Sequence, residues 1–206
     1  SKAPYFFHAC YADSDTPNFA PPPYDTLVAI DDLPLPPQGD DTTGPKWLLK
    51  AREEARTAEA TEHDIKKVVA MYYGMIALVN NQMQRLYDAM AERHMLENTW
   101  VIIASDHGDY CGEKGLFNQS ESLYECLLHV PLVIVPPPGV NAPRGMTVEG
   151  LVELIDLFPT ILNSARAKVP KYAQGHDLIS WIQGGARKPL RDCVFSQVGD
   201  YHGFLK

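Results

Sequence analysis

Apolar positions recur at helical spacing from Thr61 to Met95, where Val69, Tyr72, Tyr73, Ile76, Val79, Met83, Leu86 and Met90 fall on one stripe. Thr61, with Asp64 three positions on, predicts a capping box at the start of this helix. Arg93 and His94 suit the negative end of its dipole. Val101-Ile102-Ile103 is a different pattern, wholly apolar and β-branched, and predicts a strand covered on both faces. A long helix feeding such a strand through a short turn is a helix–strand unit of a doubly wound α/β sheet. Tyr5 to Cys10, Val130 to Val135 and Asp192 to Gln197 predict further strands. Trp47 to Ala60 mixes charge with alanine and predicts a solvated helix exposing Arg52, Glu53, Glu54 and Arg56. Prolines punctuate the rest. Asn18 to Tyr24 must run extended, and Leu33 to Pro45 is a connection. Asp156 can cap a helix that tolerates Pro159 in its first turn.

The 206 residues suffice for one good core or a large piece of a bigger one. A net charge of −8 argues against a nucleic-acid partner or an anionic membrane surface. No apolar run approaches the roughly 20 residues needed to span a bilayer. The N-terminal residues lack the pattern of a signal peptide and lead directly into a strand, as though the chain began inside a domain. That leaves localisation unknown. Cys10, Cys111, Cys126 and Cys193 show neither C-x-x-C nor zinc spacing and read as buried thiols.

The chemistry concentrates where the Val101 run stops, at Ser105-Asp106-His107-Gly108. Sites in open α/β sheets lie beyond the carboxyl ends of strands, and a carboxylate beside an imidazole suits a hard or borderline divalent ion. On these residues alone, an Asp-His-Gly turn is the simpler account. The order of elements that follows changes this. Gly112-Glu113-Lys114-Gly115-Leu116, Leu123-Tyr124-Glu125 and His129-Val130-Pro131-Leu132 follow in one ungapped series. The series resembles the later metal-and-substrate segment of the sulfatases, in the alkaline-phosphatase superfamily. Upstream, Phe6-Phe7, Pro17, Phe19 and Pro21-Pro22 resemble that family's strand and proline-rich segment, and the Tyr72-Tyr73 helix resembles its helix before this strand. Downstream, Asp156 to Thr160 and Gly175 to Leu178 resemble its later helical elements, so His176 reads as a loop histidine.

The resemblance implies part of a doubly wound, alkaline-phosphatase-like α/β sheet flanked by helices. It implies a sulfuric ester hydrolase, with Asp106 and His107 ligating a divalent metal, Ca2+ first and Mn2+ or Zn2+ as alternatives. The substrate would be a small-molecule or carbohydrate sulfate ester. The family's nucleophile, a formylglycine made in a Cys- or Ser-x-Pro-x-Arg motif, has no counterpart in the sequence. Residues 1–206 are therefore expected to be a partial catalytic domain, without its nucleophile part or its C-terminal subdomain, and inactive alone. The family's substrate-binding lysine falls on Gln119 and its sulfate-binding histidine on Asp15, while Lys114 is a candidate replacement for the lost charge. Removing a cation that faces a developing anion costs on the order of 10²–10³ in rate. A carboxylate about 4 Å from a sulfate costs about 4 kcal/mol at an effective dielectric near 20. Alternative readings are a phosphodiester or phosphonate monoester hydrolase of the same superfamily, and an inactive sulfatase-like binding protein.

Overall fold

The computed structural model describes residues 4–39, 44–54, 59–120, 122–185, 188–198 and 201–205. Its elements run α1 (Lys46–Glu54), α2 (Glu62–Glu92), β1 (Val101–Ala104), α3 (Glu125–Leu128), β2 (Leu132–Val135), α4 (Leu157–Ser164), α5 (Leu178–Gln183), β3 (Val194–Val198) and β4 (Tyr201–Leu205). The class is α/β. The strands among the described residues form two antiparallel pairs, β1 with β2 in the register Val101↔Val135 to Ala104↔Leu132, and β3 with β4.

α2 begins as predicted. The Thr61 hydroxyl accepts the Asp64 amide at 3.2 Å, and the Asp64 carboxylate accepts the Thr61 amide at 3.0 Å. Such a cap contributes about 1 kcal/mol. Arg93 donates to the Ala89 carbonyl at 2.8 Å, closing the other end. The buried face, however, is Ile65, Val69, Ala70, Gly74 and Met75, whereas Tyr73 and Ile76 of the expected stripe are exposed. A 3-10 turn at Tyr24–Thr26 covers the Gly74 side of α2, pressed so close that a Cβ on Gly74 would meet the Tyr24 carbonyl. Tyr24 accepts from Asn81 at 2.5 Å across the same contact.

Four expectations change. Tyr5 to Cys10 forms no strand and lies exposed, because no described segment pairs with its backbone. β1 is half-buried rather than covered on both faces, and Val133 of its partner strand is exposed. α1 is not a solvated helix. Leu48 and Arg52, one turn apart on one face, are both buried, Leu48 in a cluster with Tyr110, Leu116 and Leu127. Arg56 lies outside the described residues. The cysteines are all free, with Cys10 and Cys193 exposed and Cys111 and Cys126 half-buried.

Asp156 occupies the position before α4 without capping it. Its carboxylate is fully buried and accepts both guanidinium nitrogens of Arg191 at 2.6 Å, the Glu153 amide at 2.8 Å and the His176 amide at 2.7 Å. Glu153 adds a second carboxylate, 3.3 Å from Arg191, and accepts the Phe195 amide at 2.7 Å. This knot ties α4, the Gly175 turn and β3 together.

Candidate functional site

The chain leaves β1 at Ala104 through a turn that its own residues hold. The Ser105 hydroxyl donates to the His107 carbonyl at 2.7 Å, Asp106 accepts the His107 amide at 3.1 Å, and the Gly108 amide donates to Leu127 at 2.9 Å. Only glycine fits at 108, since a Cβ there would overlap the Cys126 carbonyl at the start of α3. The Asp106 side chain is left 90% exposed, with its Oδ1 4.0 Å from Nε2 of His107.

His107 shows how the imidazole is prepared. Its Nδ1 lies 2.9 Å from the Gly108 carbonyl, which can only accept, so Nδ1 carries the proton. Nε2 is left with its lone pair directed away from the ring's anchor. A second nitrogen fixed by a carbonyl is the usual support for a metal-ligating histidine. Asp106 and His107 thus fit as two ligands of a divalent ion. Among the described residues, no three His, Cys, Asp or Glu side chains are grouped to hold one.

From Asp109 the chain makes a closed loop. Asp109 accepts the Cys111 amide at 2.6 Å and also takes the Asn118 amide, while the Tyr110 amide donates to the Asn118 carbonyl at 3.0 Å. Cys111, Lys114 and Asn118 sit in the left-handed region at φ 46°, 59° and 66°, a conformation that costs about 1 kcal/mol for each residue that is not glycine. The Tyr110 hydroxyl is paired with Ser120 at 3.0 Å and Ser122 at 2.5 Å inside the loop. Loop closure brings Asn118, with Gln119 next to it, back to Asp109 and Tyr110.

Gln119 meets Asp15 there, its amide nitrogen donating to Oδ2 at 3.4 Å across 104 residues of sequence. Asp15 also accepts the Thr16 amide at 2.7 Å. Asp109 lies within electrostatic reach of both Asp15 and His107. Burial pushes its carboxyl up, the Cys111 and Asn118 amides pull it down, Asp15 adds to the rise and His107 opposes it. Tyr72 completes the wall from α2. Its phenol is pushed up chiefly by burial, against a hydrogen bond with Ser14 and with the charges of Asp109 and Asp15 nearby. Lys114 takes other partners, Glu113 at 3.4 Å and the face of Tyr124 at 5.6 Å. The two thiols of the region are inert, since burial pushes Cys111 up to about 12 and Cys126 up to about 11.

Asp15 and His107 are therefore within reach of Asp109, with Gln119 bonded to Asp15 and Asp106 on the same turn as His107, while the Lys114 ammonium is engaged on Tyr124. Sequence reasoning missed two members. In the sequence Tyr72 falls within the helix stripe, and Asp109 stands two residues after His107 in an Asp-His-Gly-Asp run that reads as a turn.

A family model described as Sulfatase matches residues 2–167. Arylsulfatase K of Xenopus laevis is 31% identical over 151 residues, covering 71% of this chain and 27% of that protein. An arylsulfatase of Clostridium perfringens is 29% identical over 188 residues, covering 87% of this chain and 38% of that one. Among solved structures, the phosphonate monoester hydrolase SpPMH of Silicibacter pomeroyi superposes with a TM-score of 0.79 at 28% identity, over 89% of this chain and 38% of that chain. The chain thus spans about a quarter to two fifths of the length of these relatives.

Proposed function

The chain belongs to the sulfatase family, and on that premise we propose that it forms the metal- and substrate-holding part of a sulfuric ester hydrolase domain. Three separate stretches carry this reading by meeting at one place: Asp15, the Asp106–His107–Asp109 turn and Gln119. The domain would act on a small-molecule or carbohydrate sulfate ester. Residues 1–206 are read as one part of that domain, inactive alone, with the oxygen nucleophile supplied by sequence beyond these residues.

Asp106 and Nε2 of His107 would hold a divalent ion, Ca2+ in this reading, with Mn2+ and Zn2+ as the alternatives. When bound, the ion supplies positive charge that offsets the charge growing on a sulfuryl oxygen. The Gly108 carbonyl keeps the imidazole in the ligating tautomer and fixes its plane. Gln119 offers a neutral N–H donor to a sulfuryl oxygen in place of a cation. Its bond to Asp15 does two things: it holds the amide in place, and it screens a carboxylate that would otherwise repel the ester. Asp109 does not reach outward, because its oxygens are engaged by the Cys111 and Asn118 amides.

A second reading, phosphonate monoester hydrolysis, is favoured by the likeness to the Silicibacter pomeroyi enzyme. The experiment measures kcat/KM on an aryl sulfate and on a phenyl phosphonate monoester, using protein made from the full reading frame. Wild type, Asp15→His, Gln119→Lys and the double variant are compared. Preference for the sulfate, with kcat/KM raised about 10-fold or more in each single variant, is the expected result. The double variant should depart from additivity, because both residues face one anion. Preference for the phosphonate, with losses in all three variants, selects the second reading. No turnover in any of the four proteins makes the chain part of an inactive binding protein.

A further inference from the structure

The loop between His107 and Gln119 is anchored at its tip as well as at its base. Arg52, 7% exposed on the inner face of α1, donates Nε to the Lys114 carbonyl at 2.5 Å and Nη2 to the Gln38 carbonyl at 2.7 Å. Gln38 in turn donates its side-chain amide to the Pro36 carbonyl at 2.6 Å and the Gly112 carbonyl at 2.9 Å. The Lys114 amide donates to Pro37 at 2.8 Å. The extended stretch 36–38 is thus laced to residues 112–114, with one guanidinium spanning both. Apolar contacts run alongside: Leu48 packs with Tyr110 and Leu116, and Trp47 lies 5.9 Å from Tyr124, ring to ring.

We infer that Arg52 is a positioning residue of the site, which sets where Gln119 stands relative to Asp106 and His107 by pinning the tip of the loop that joins them. The inference rests on the reading of Asp15, Gln119, Asp106 and His107 as the site. Three observations carry it. Arg52 bonds the Lys114 carbonyl directly, so it acts on the loop at its tip. Of the loop's left-handed residues, Cys111 precedes the pinned Gly112 and Lys114 carries a pinned carbonyl itself, and left-handed backbone outside glycine persists only where surroundings over-determine it. The base closes through Tyr110, Asp109 and Asn118, the last adjacent to Gln119, so a displaced tip is transmitted to the substrate-facing amide. Guanidinium is the right group for the task, because its planar fork reaches two carbonyls at once where an ammonium makes a point contact.

The test compares Arg52→Met, Arg52→Lys and Gln38→Ala with wild type, in protein from the full reading frame, by two independent readouts. The first is hydrogen exchange at the Tyr110 and Gly112 amides, which do not depend on any catalysed reaction. Arg52→Met should speed both by about 10-fold or more while amides in the middle of α2 keep their rates. Gln38→Ala should act in the same direction more weakly, and Arg52→Lys should fall between wild type and Arg52→Met. The second readout is steady-state kinetics on the aryl sulfate. KM should rise by about 10-fold in Arg52→Met with kcat changed much less, since a misplaced binding amide weakens hold on the ester before it disturbs bond breaking. Unchanged exchange at Tyr110 and Gly112 in both Arg52→Met and Gln38→Ala overturns the inference. So does a rise shared equally by α2, which marks a general loss of stability. Wild-type protein that turns over nothing overturns the hydrolase reading alone, and the exchange result still decides the role of Arg52 in the loop.

Discussion

Asp106 and Asp156 are the same side chain put to opposite use in two regions of one molecule. Asp156 is fully buried and has every lone-pair direction engaged, by Arg191 twice and by the amides of Glu153 and His176. Asp106 is 90% exposed and accepts one backbone amide, with Nε2 of His107 4.0 Å from its Oδ1. The difference is that a saturated buried carboxylate is committed to structure, whereas an exposed one keeps its lone pairs open to solvent. A carboxylate already served by a guanidinium has nothing left to offer a cation. Asp106, on the turn where Gly108 packs against α3, has oxygens that no described protein group takes up beyond one backbone amide.

The sharpest way to break the comparison is to delete each carboxylate. Asp156→Ala leaves Arg191 almost buried without its bidentate partner, a loss expected to cost about 3–5 kcal/mol in denaturant unfolding. Asp106→Ala should cost within about 0.5 kcal/mol without added metal. It should also abolish the stabilisation that Ca2+, Mn2+ or Zn2+ gives the full-length protein in calorimetry. Equal losses for both variants, or metal stabilisation surviving in Asp106→Ala, would erase the distinction.

Acid titration sharpens it at smaller amplitude. Burial tends to raise Asp156, but the Arg191 pair and the two amides outweigh it, so its carboxyl is held below the ordinary range. A carboxyl depressed in the folded state binds its proton more readily when unfolded. Its stabilisation is therefore present above the unfolded pKa of about 3.9 and is lost as pH falls through the folded value. Wild type should lose stability over that window, and Asp156→Asn should show a shallower loss there. Parallel acid limbs in the two proteins would contradict the assignment.

The smallest expected effect separates thiols rather than carboxylates. Iodoacetamide at pH 8 should label exposed Cys10 and Cys193 first, Cys126 later and Cys111 last. Raised thiol values of about 11 and about 12 leave the latter two with little thiolate. Mass spectrometry of partially labelled protein gives the order directly. Early labelling of Cys111 would mean that the loop opens on its own.

What the sequence disclosed about this molecule was local. The capping pair Thr61 and Asp64, the strand at Val101 and the turn after it are written in residues a few positions apart, and the structure has them where expected. What escaped was decided between distant segments. Arg52 reads as a surface charge because nothing in its neighbourhood reveals that the carbonyls of Gln38 and Lys114 will need a donor. Asp156 reads as a helix cap because Arg191 is thirty-five positions away. Tyr5 to Cys10 reads as a strand because a mostly apolar run is visible in a sequence and the lack of a described pairing partner is not. Asp15 and Gln119 were singled out by resemblance to a family pattern. Their contact, by contrast, depends on two loops folding to the same spot.

The loop from Asp109 to Asn118 carries a consequence for how such proteins diverge. It is fastened at both ends of its span, at the base through Tyr110 and Asn118 and at the tip through Gly112 and Lys114. A segment tied at one point can gain or lose residues harmlessly at the other, but one tied at both has no slack to absorb an insertion or deletion. A loop held in this way is expected to take substitution at constant length more readily than insertion or deletion. A library that varies the loop's exposed side chains should return more folded protein than one that varies its length.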